Sequence, residues 1–264
     1  MRQVTLLYHD VVENGDYDAS GFRDGAARRY KLDRDEFVKH LDAIAAATSR
    51  PPVTVYDLDK QPATPCPVTI GFDDGGVSAL TIIAAEFNAR GWPAHFFVTT
   101  DYIGTPGFLD AAQIRELHAM GHVIGSHSCS HPNPMAACDD EQLRDEWTHS
   151  IARLSDILGE PVRVGSIPGG AYGTNVARAA AAAGIDRLFT SEPTTRTWQV
   201  DGCTLLGRFG IEVEDAPAKA ADFVSGKWTT HTKEYVVWNG KKFLKRAGGP
   251  VFYRLRDWWY RGRA

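Results

Sequence analysis

The chain has 264 residues, 43% hydrophobic and 23% charged, enough to bury a full core in one large α/β domain or two small ones. Its formal net charge of −4 gives no global affinity for nucleic acid. The four cysteines, Cys66, Cys129, Cys138 and Cys203, form no CxxC pair, which fits reduced thiols in a cytoplasmic protein better than a disulfide framework, although sequence alone leaves a disulfide open.

In chain order, Val4–Tyr8 reads as a strand whose apolar run is too short for a signal peptide. Residues 13–29 are polar and aperiodic, a long surface loop or an insertion without structure. Phe37, Leu41 and Ile44 recur at helical spacing over 33–47. Then follow a strand over Val68–Phe72, a helix over 77–90, a strand over 94–99, a helix over 110–120 opened by an aspartate cap, and a strand over 122–125. Leu143, Trp147, Ile151, Leu154 and Leu158 form one apolar stripe on a helix over 139–158, behind an acidic first turn and before Gly159. A strand over 162–167, a helix over 175–183 and strands over 187–190 and 204–208 continue the alternation. Repeated βαβ units predict a largely parallel sheet with helices outside it, open or closed into a barrel. No segment approaches the roughly 18 apolar residues that span a bilayer.

Two short segments carry the chemistry, Phe72-Asp73-Asp74-Gly75 and His127-Ser128-Cys129-Ser130-His131. Taken singly, an Asp-Asp-Gly after a strand is an ordinary turn, and His-x-x-x-His is two neighbours on a helix face. Their conjunction at successive strand ends points further. Asp73, Asp74, His127, Pro168, Glu192 and Arg208 all fall at or just past carboxyl ends of predicted strands, the face on which parallel barrels build their sites. Asp74, His127 and His131 offer one carboxylate and two imidazoles to a divalent cation, most simply Zn2+, with Co2+, Ni2+ or Mn2+ as alternatives. Such a set leaves positions open for water, whose pKa zinc lowers toward roughly 7. Asp73 then stands ready as the base. Both carboxylates reach one place only if the backbone bends at Asp74-Gly75, since neighbouring residues on a strand point oppositely.

These residues resemble the polysaccharide deacetylase family, the NodB homology domain of carbohydrate esterase family four. Its first motif, Thr-Phe-Asp-Asp-Gly, is matched by Gly71 to Gly75 except at the leading residue, and its second, His-Ser/Thr-x-x-His, by His127 to His131. Leu7 to Val11 and Pro93 to Val98 are similar as well, so the likeness spans roughly residues 3 to 210. It implies a distorted (β/α)7 barrel, removal of an N-acetyl, O-acetyl or related acyl group from a sugar, Asp73 as base, and Asp74, His127 and His131 as metal ligands.

Two family positions are vacant. Where the family has Arg-x-Pro-Phe/Tyr-Gly, this chain has Ser166-Ile167-Pro168-Gly169-Gly170-Ala171-Tyr172, so the arginine that orients the base is missing; Arg208 is the candidate replacement, against a plain salt-bridge role. Peptide N–H groups after Pro168 remain able to bind an oxyanion, Gly169 and Gly170 let substrate approach, and Tyr172 is either a sugar-stacking ring or a packed aromatic. Around 205–211 the family's proton-donating histidine is also absent. His9, ending the first strand, is the preferred substitute, Glu192 the second, and protonated Asp73 the third.

Residues 240–264 set eight lysines and arginines against the single acid Asp257, interleaved with aromatics. They read as a helix packed on a deacetylase-like barrel domain of residues 1–239, or as a peripheral contact with an anionic membrane. The expectation is thus a metal-dependent carbohydrate deacylase, an N-deacetylase, deformylase or O-deacetylase, acting in the cytoplasm on an acylated, lipid-linked or free glycan and binding no nucleic acid. Its rivals are a non-catalytic glycan-binding or scaffold protein and another metal-assisted hydrolase or isomerase.

Overall fold

A computed structural model describes residues 2–240 and Lys242, apart from Asp24 and Ala171. The expected basic aromatic tail therefore lies outside the described residues except for Gly240 and Lys242.

Strands β1 (Val4–Tyr8), β2 (Val11–Val12) and β3 (Leu32–Asp33) precede helix α1 (Arg34–Ala47). Then come β4 (Val68–Phe72), α2 (Ala84–Ala89), β5 (His95–Val98), α3 (Ala111–Ala119), β6 (Val123–Ser126), α4 (Asp140–Leu158), β7 (Val164–Ser166), α5 (Thr174–Ala182) and β8 (Arg187–Phe189). The chain continues through β9 (Trp198–Val200), β10 (Cys203–Leu206), β11 (Phe209–Gly210), α6 (Pro217–Val224) and a helix over 228–240.

Local chemistry accounts for the helix ends. Asp110 and Asp139 each close a capping box with the glutamine three residues on, and Gly159 ends α4 at φ 73°. Periodicity missed β9, α6, the last helix and the two-residue β2–β3 pair, which are too short or too weakly patterned to stand out. The β9–β10 hairpin did carry a signal: its Asp201-Gly202 turn has both φ angles positive, at 48° and 84°, as an Asp-Gly hairpin turn requires.

The main sheet runs β11-β1-β4-β5-β6-β7-β8-β10-β9. All pairs are parallel except β9 on β10. One continuous segment, 203–210, pairs at its start with β8 and at its end with β1. The sheet thereby curls into a distorted (β/α)7 barrel of seven parallel strands, with a break at Gly207-Arg208 where the last strand changes partner.

Strand pleating sorts side chains between barrel and helices. Outward residues such as Leu6, Tyr8, Ile70, Phe72, Phe96 and Val98 pack with Phe37, Leu41, Ile44, Ile83 and Phe87 of the surrounding helices. On the opposite side of the barrel Leu188 and Leu205 meet Trp147, Val176 and Ala180. Inward, Phe97, Val164, Phe189 and Leu206 form a small apolar plug with Val55 and Leu58 from the turn below. His95 shares that interior, with its Nδ1–H on the Ile70 carbonyl at 2.9 Å and its Nε2 accepting the Val55 N–H at 2.9 Å. All four cysteines are free thiols. No helix among the described residues is long and apolar enough to cross a membrane.

Candidate active site

The pleat continues past the strand ends, and each inward position there carries a polar group. Two residues beyond Gly71 comes Asp73, beyond Gly125 His127, beyond Val164 Ser166, and beyond Leu206 Arg208. These four form one connected layer above the apolar plug. Arg208 donates from both terminal nitrogens to Asp73, Nη1 to Oδ1 at 2.7 Å and Nη2 to Oδ2 at 2.9 Å, and from Nε to the Thr190 carbonyl at 3.0 Å. Ser166 Oγ donates to Asp73 Oδ2 at 3.1 Å. The Ser166 carbonyl accepts the Nδ1–H of His127 at 3.0 Å. A carbonyl can only accept, so His127 carries a proton on Nδ1 and presents Nε2 to the carboxylates, the nitrogen through which it could ligate a metal.

Asp74 completes the cluster through an unusual backbone. Its φ is 79° and that of Gly75 is 84°, the left-handed bend that brings two successive carboxylates to one place. Gly76 answers a different constraint: a Cβ there would fall on Asp10 Oδ1. His127 Nε2 lies 3.5 Å from Asp74 Oδ1 and 3.8 Å from Asp73 Oδ2, and His131 Nε2 lies 3.6 Å from Asp74 Oδ1. One ligand atom each from Asp74, His127 and His131 lie within 4.8 Å of one another. This donor set fits a divalent cation, with neutral imidazole nitrogens and a carboxylate converging on one point.

The electrostatics favour positive charge at that point. Burial pushes the Asp73 carboxyl up, but Arg208, His127 and His9 outweigh it and hold it below the usual carboxylate range. Asp74 is also held low against burial, by His127, His9 and His131. His127 is drawn above the ordinary histidine value despite its burial by Asp73 and Asp74, whereas burial and then His127 push His131 down.

His9 follows β1, stacks on Tyr30 with centroids 4.6 Å apart, and has a buried Nδ1 with no hydrogen-bond partner. Its field reaches Asp73, Asp74 and His131. The Glu192 carboxylate turns instead to Lys242, Oε1 to Nζ 2.5 Å, and it is the Glu192 backbone carbonyl that meets the cluster, accepting the Arg208 N–H at 3.0 Å. Pro168 is buried in the turn past β7, with Gly169 and Gly170 at φ 63° and 65°. Tyr172 packs edge-on against Trp198, centroids 5.7 Å apart, on the apolar cluster shared by α4 and α5.

The described residues of 13–30, which leave out Asp24, lie over the same rim. The buried Lys31 ammonium donates to the carbonyls of Tyr17, Ser20 and Phe22 at 2.6, 2.6 and 2.5 Å, and Ser20 Oγ donates to Asp10 at 2.5 Å. Phe22 is thereby set against His131, centroids 5.0 Å apart. Sequence reasoning gave no role to Ser166, Lys31 or Asp10. Ser166 had a usable signal, being two residues past an inward valine; a lone lysine in a polar stretch had none.

Residues 60–188 match the family model described as polysaccharide deacetylase. No curated protein matches the chain. Among solved structures, a de-N-acetylase from Aggregatibacter actinomycetemcomitans superposes with a TM-score of 0.69 at 19% identity, over 84% of this chain and 100% of the other. IcaB from Ammonifex degensii gives 0.66 at 20% identity over 84% and 100%. The Streptococcus pyogenes deacetylase PplD, in complex with acetate, gives 0.66 at 16% over 83% and 96%. At these identities the likeness to solved structures is one of fold.

Proposed function

The chain is a divergent member of the polysaccharide deacetylase family, and from that membership we propose that it is a metal-dependent carbohydrate deacylase, first of all an N-deacetylase, with formyl and O-acetyl groups as alternative leaving acyls. The observation that carries this reading is the buried Asp73–Arg208 pair lying against the Asp74, His127 and His131 trio. A site that only bound glycan would have no use for a second carboxylate held charged beside a cation site.

Asp74, His127 and His131 would hold a divalent ion, which when bound would supply Lewis acidity toward water and the acyl carbonyl. The rest falls to the chain. Asp73 takes the attacking water's proton at a carboxylate oxygen, and Arg208 and Ser166 keep that carboxylate ionised and oriented. Arg208 reaches it from the break between β10 and β11 rather than from the end of β7, so a guanidinium from a different segment takes the place of one at Ser166. Peptide N–H groups in the turn after Pro168 offer donors to the developing oxyanion. His9, whose field reaches the cluster from the end of β1, returns a proton to the leaving amine, a role Glu192 cannot share while Lys242 holds its carboxylate.

The protein, stripped and reloaded with zinc, cobalt, nickel or manganese, is assayed for acetate or formate release from N-acylated sugars. Asp73→Asn is expected to lower the rate by about a hundredfold or more, and His9→Ala by a similar factor, with Glu192→Gln near wild type. Full activity in Asp73→Asn rejects the mechanism; full activity in His9→Ala rejects the proton donor.

A further inference from the structure

The loop that carries His127 and His131 is gripped from behind by a helix that belongs to none of the motifs. Its backbone requires a grip: Ser128 and His131 have φ values of 65° and 61°, a left-handed region that residues with side chains rarely adopt. Between them the N–H groups of Cys129 and Ser130 point away from the sheet. Glu146 on α4 accepts both at Oε2, at 2.8 and 2.9 Å, and accepts the Ser130 hydroxyl at Oε1 at 2.5 Å. One turn along α4, Ser150 Oγ lies 2.7 Å from Ser126 Oγ, which itself accepts the Ser128 N–H at 3.1 Å.

Residues four apart share a helix face, so one face of α4 holds the loop just before His127 and again just before His131. The wholly buried Trp147 beside Glu146 seats that face on the core.

The geometry points to Glu146 as a positioning residue. Resting on the reading of Asp74, His127 and His131 as metal ligands, it holds the two imidazoles at their ligating separation and so sets the site's affinity for a divalent cation, while both its own oxygens are spent on the loop.

The test is zinc affinity of the full chain, read by competition with a chromophoric chelator, for wild type, Glu146→Ala, Glu146→Gln and the exposed same-helix control Glu141→Ala. Glutamine keeps one oxygen for the two peptide N–H groups, and its amide can donate to the Ser130 hydroxyl; alanine keeps nothing. Glu146→Ala is expected to bind zinc about 10- to 100-fold more weakly, the usual effect of removing a group that orients ligands. Glu146→Gln should stay within a few-fold of wild type and Glu141→Ala unchanged. Circular dichroism establishes the metal-free fold of each variant, and Glu146→Asp, a carboxylate one methylene short, replaces the alanine variant with the same expectation if alanine does not fold. Affinity within about twofold of wild type in Glu146→Ala, or an equal loss in Glu141→Ala, overturns this inference alone. A wild type that binds no zinc overturns the metal reading and the inference with it.

Discussion

At the scale of single residues, the site is governed by buried charges that exist only as pairs. Arg208 is 1% exposed and Asp73 5%, and each is an expense in a low-dielectric interior unless the other is present. Arg208→Met would leave Asp73 with Ser166 Oγ as its side-chain hydrogen-bond donor and His127 at 3.8 Å. We expect a loss of about 3–5 kcal/mol in urea unfolding, the range for breaking a buried pair from one side, together with a deacylation rate down by about a hundredfold or more. A folded Arg208→Met protein with near-normal turnover would show that the guanidinium serves stability alone. The sequence identified Asp73, Asp74 and both histidines because their short motifs are contiguous. It could nominate Arg208 only by its place at a strand end, since a contact across 135 residues leaves no local trace.

At the scale of elements, the strands set which residues meet and the loops set how tightly. Residues 13–30 have no periodicity because their order comes from one buried ammonium and its three carbonyls rather than from an apolar face. Lys31→Met would strand those acceptors, each worth about 1–3 kcal/mol when left buried without a donor. The expected result is local opening. Limited trypsin digestion should cut at Arg23, Arg28 or Arg29 at least about tenfold faster than in wild type, with the barrel's main transition retained. Unchanged cleavage would mean that Phe22 and Ser20, not Lys31, hold the loop. The helices over 110–120 and 139–158 were legible for the opposite reason, since aspartate caps, apolar stripe and terminal glycine all act within one element.

At the scale of the whole molecule, the closed barrel imposes a pH limit of its own. His95 sits in the interior, fixed as the neutral imidazole by the Ile70 carbonyl and the Val55 N–H, and burial pushes it down to about 4. The unfolded chain binds that proton near pH 6.5, so the stabilisation is complete above 6.5 and is lost as pH falls toward 4. From pH 7 to pH 5 this one group should remove about 2 kcal/mol from the unfolding free energy, and His122, pushed down to about 4 by burial, acts in the same direction. Urea unfolding at the two pH values checks this; equal stability at both would place the proton on His95 in the folded state. The sequence by itself determined the βαβ alternation and the strand-end location of Asp73, Asp74, His127 and His131, the residues proposed as base and metal ligands, because each is written within a few consecutive residues. Only the tertiary structure decided that 203–210 closes the barrel, that Arg208 pairs with Asp73, that Glu192 faces Lys242 while His9 stacks on Tyr30, and that α4 grips the histidine loop. Those are contacts between segments far apart in the chain, fixed by strand register and barrel curvature, which no local pattern of residue types encodes.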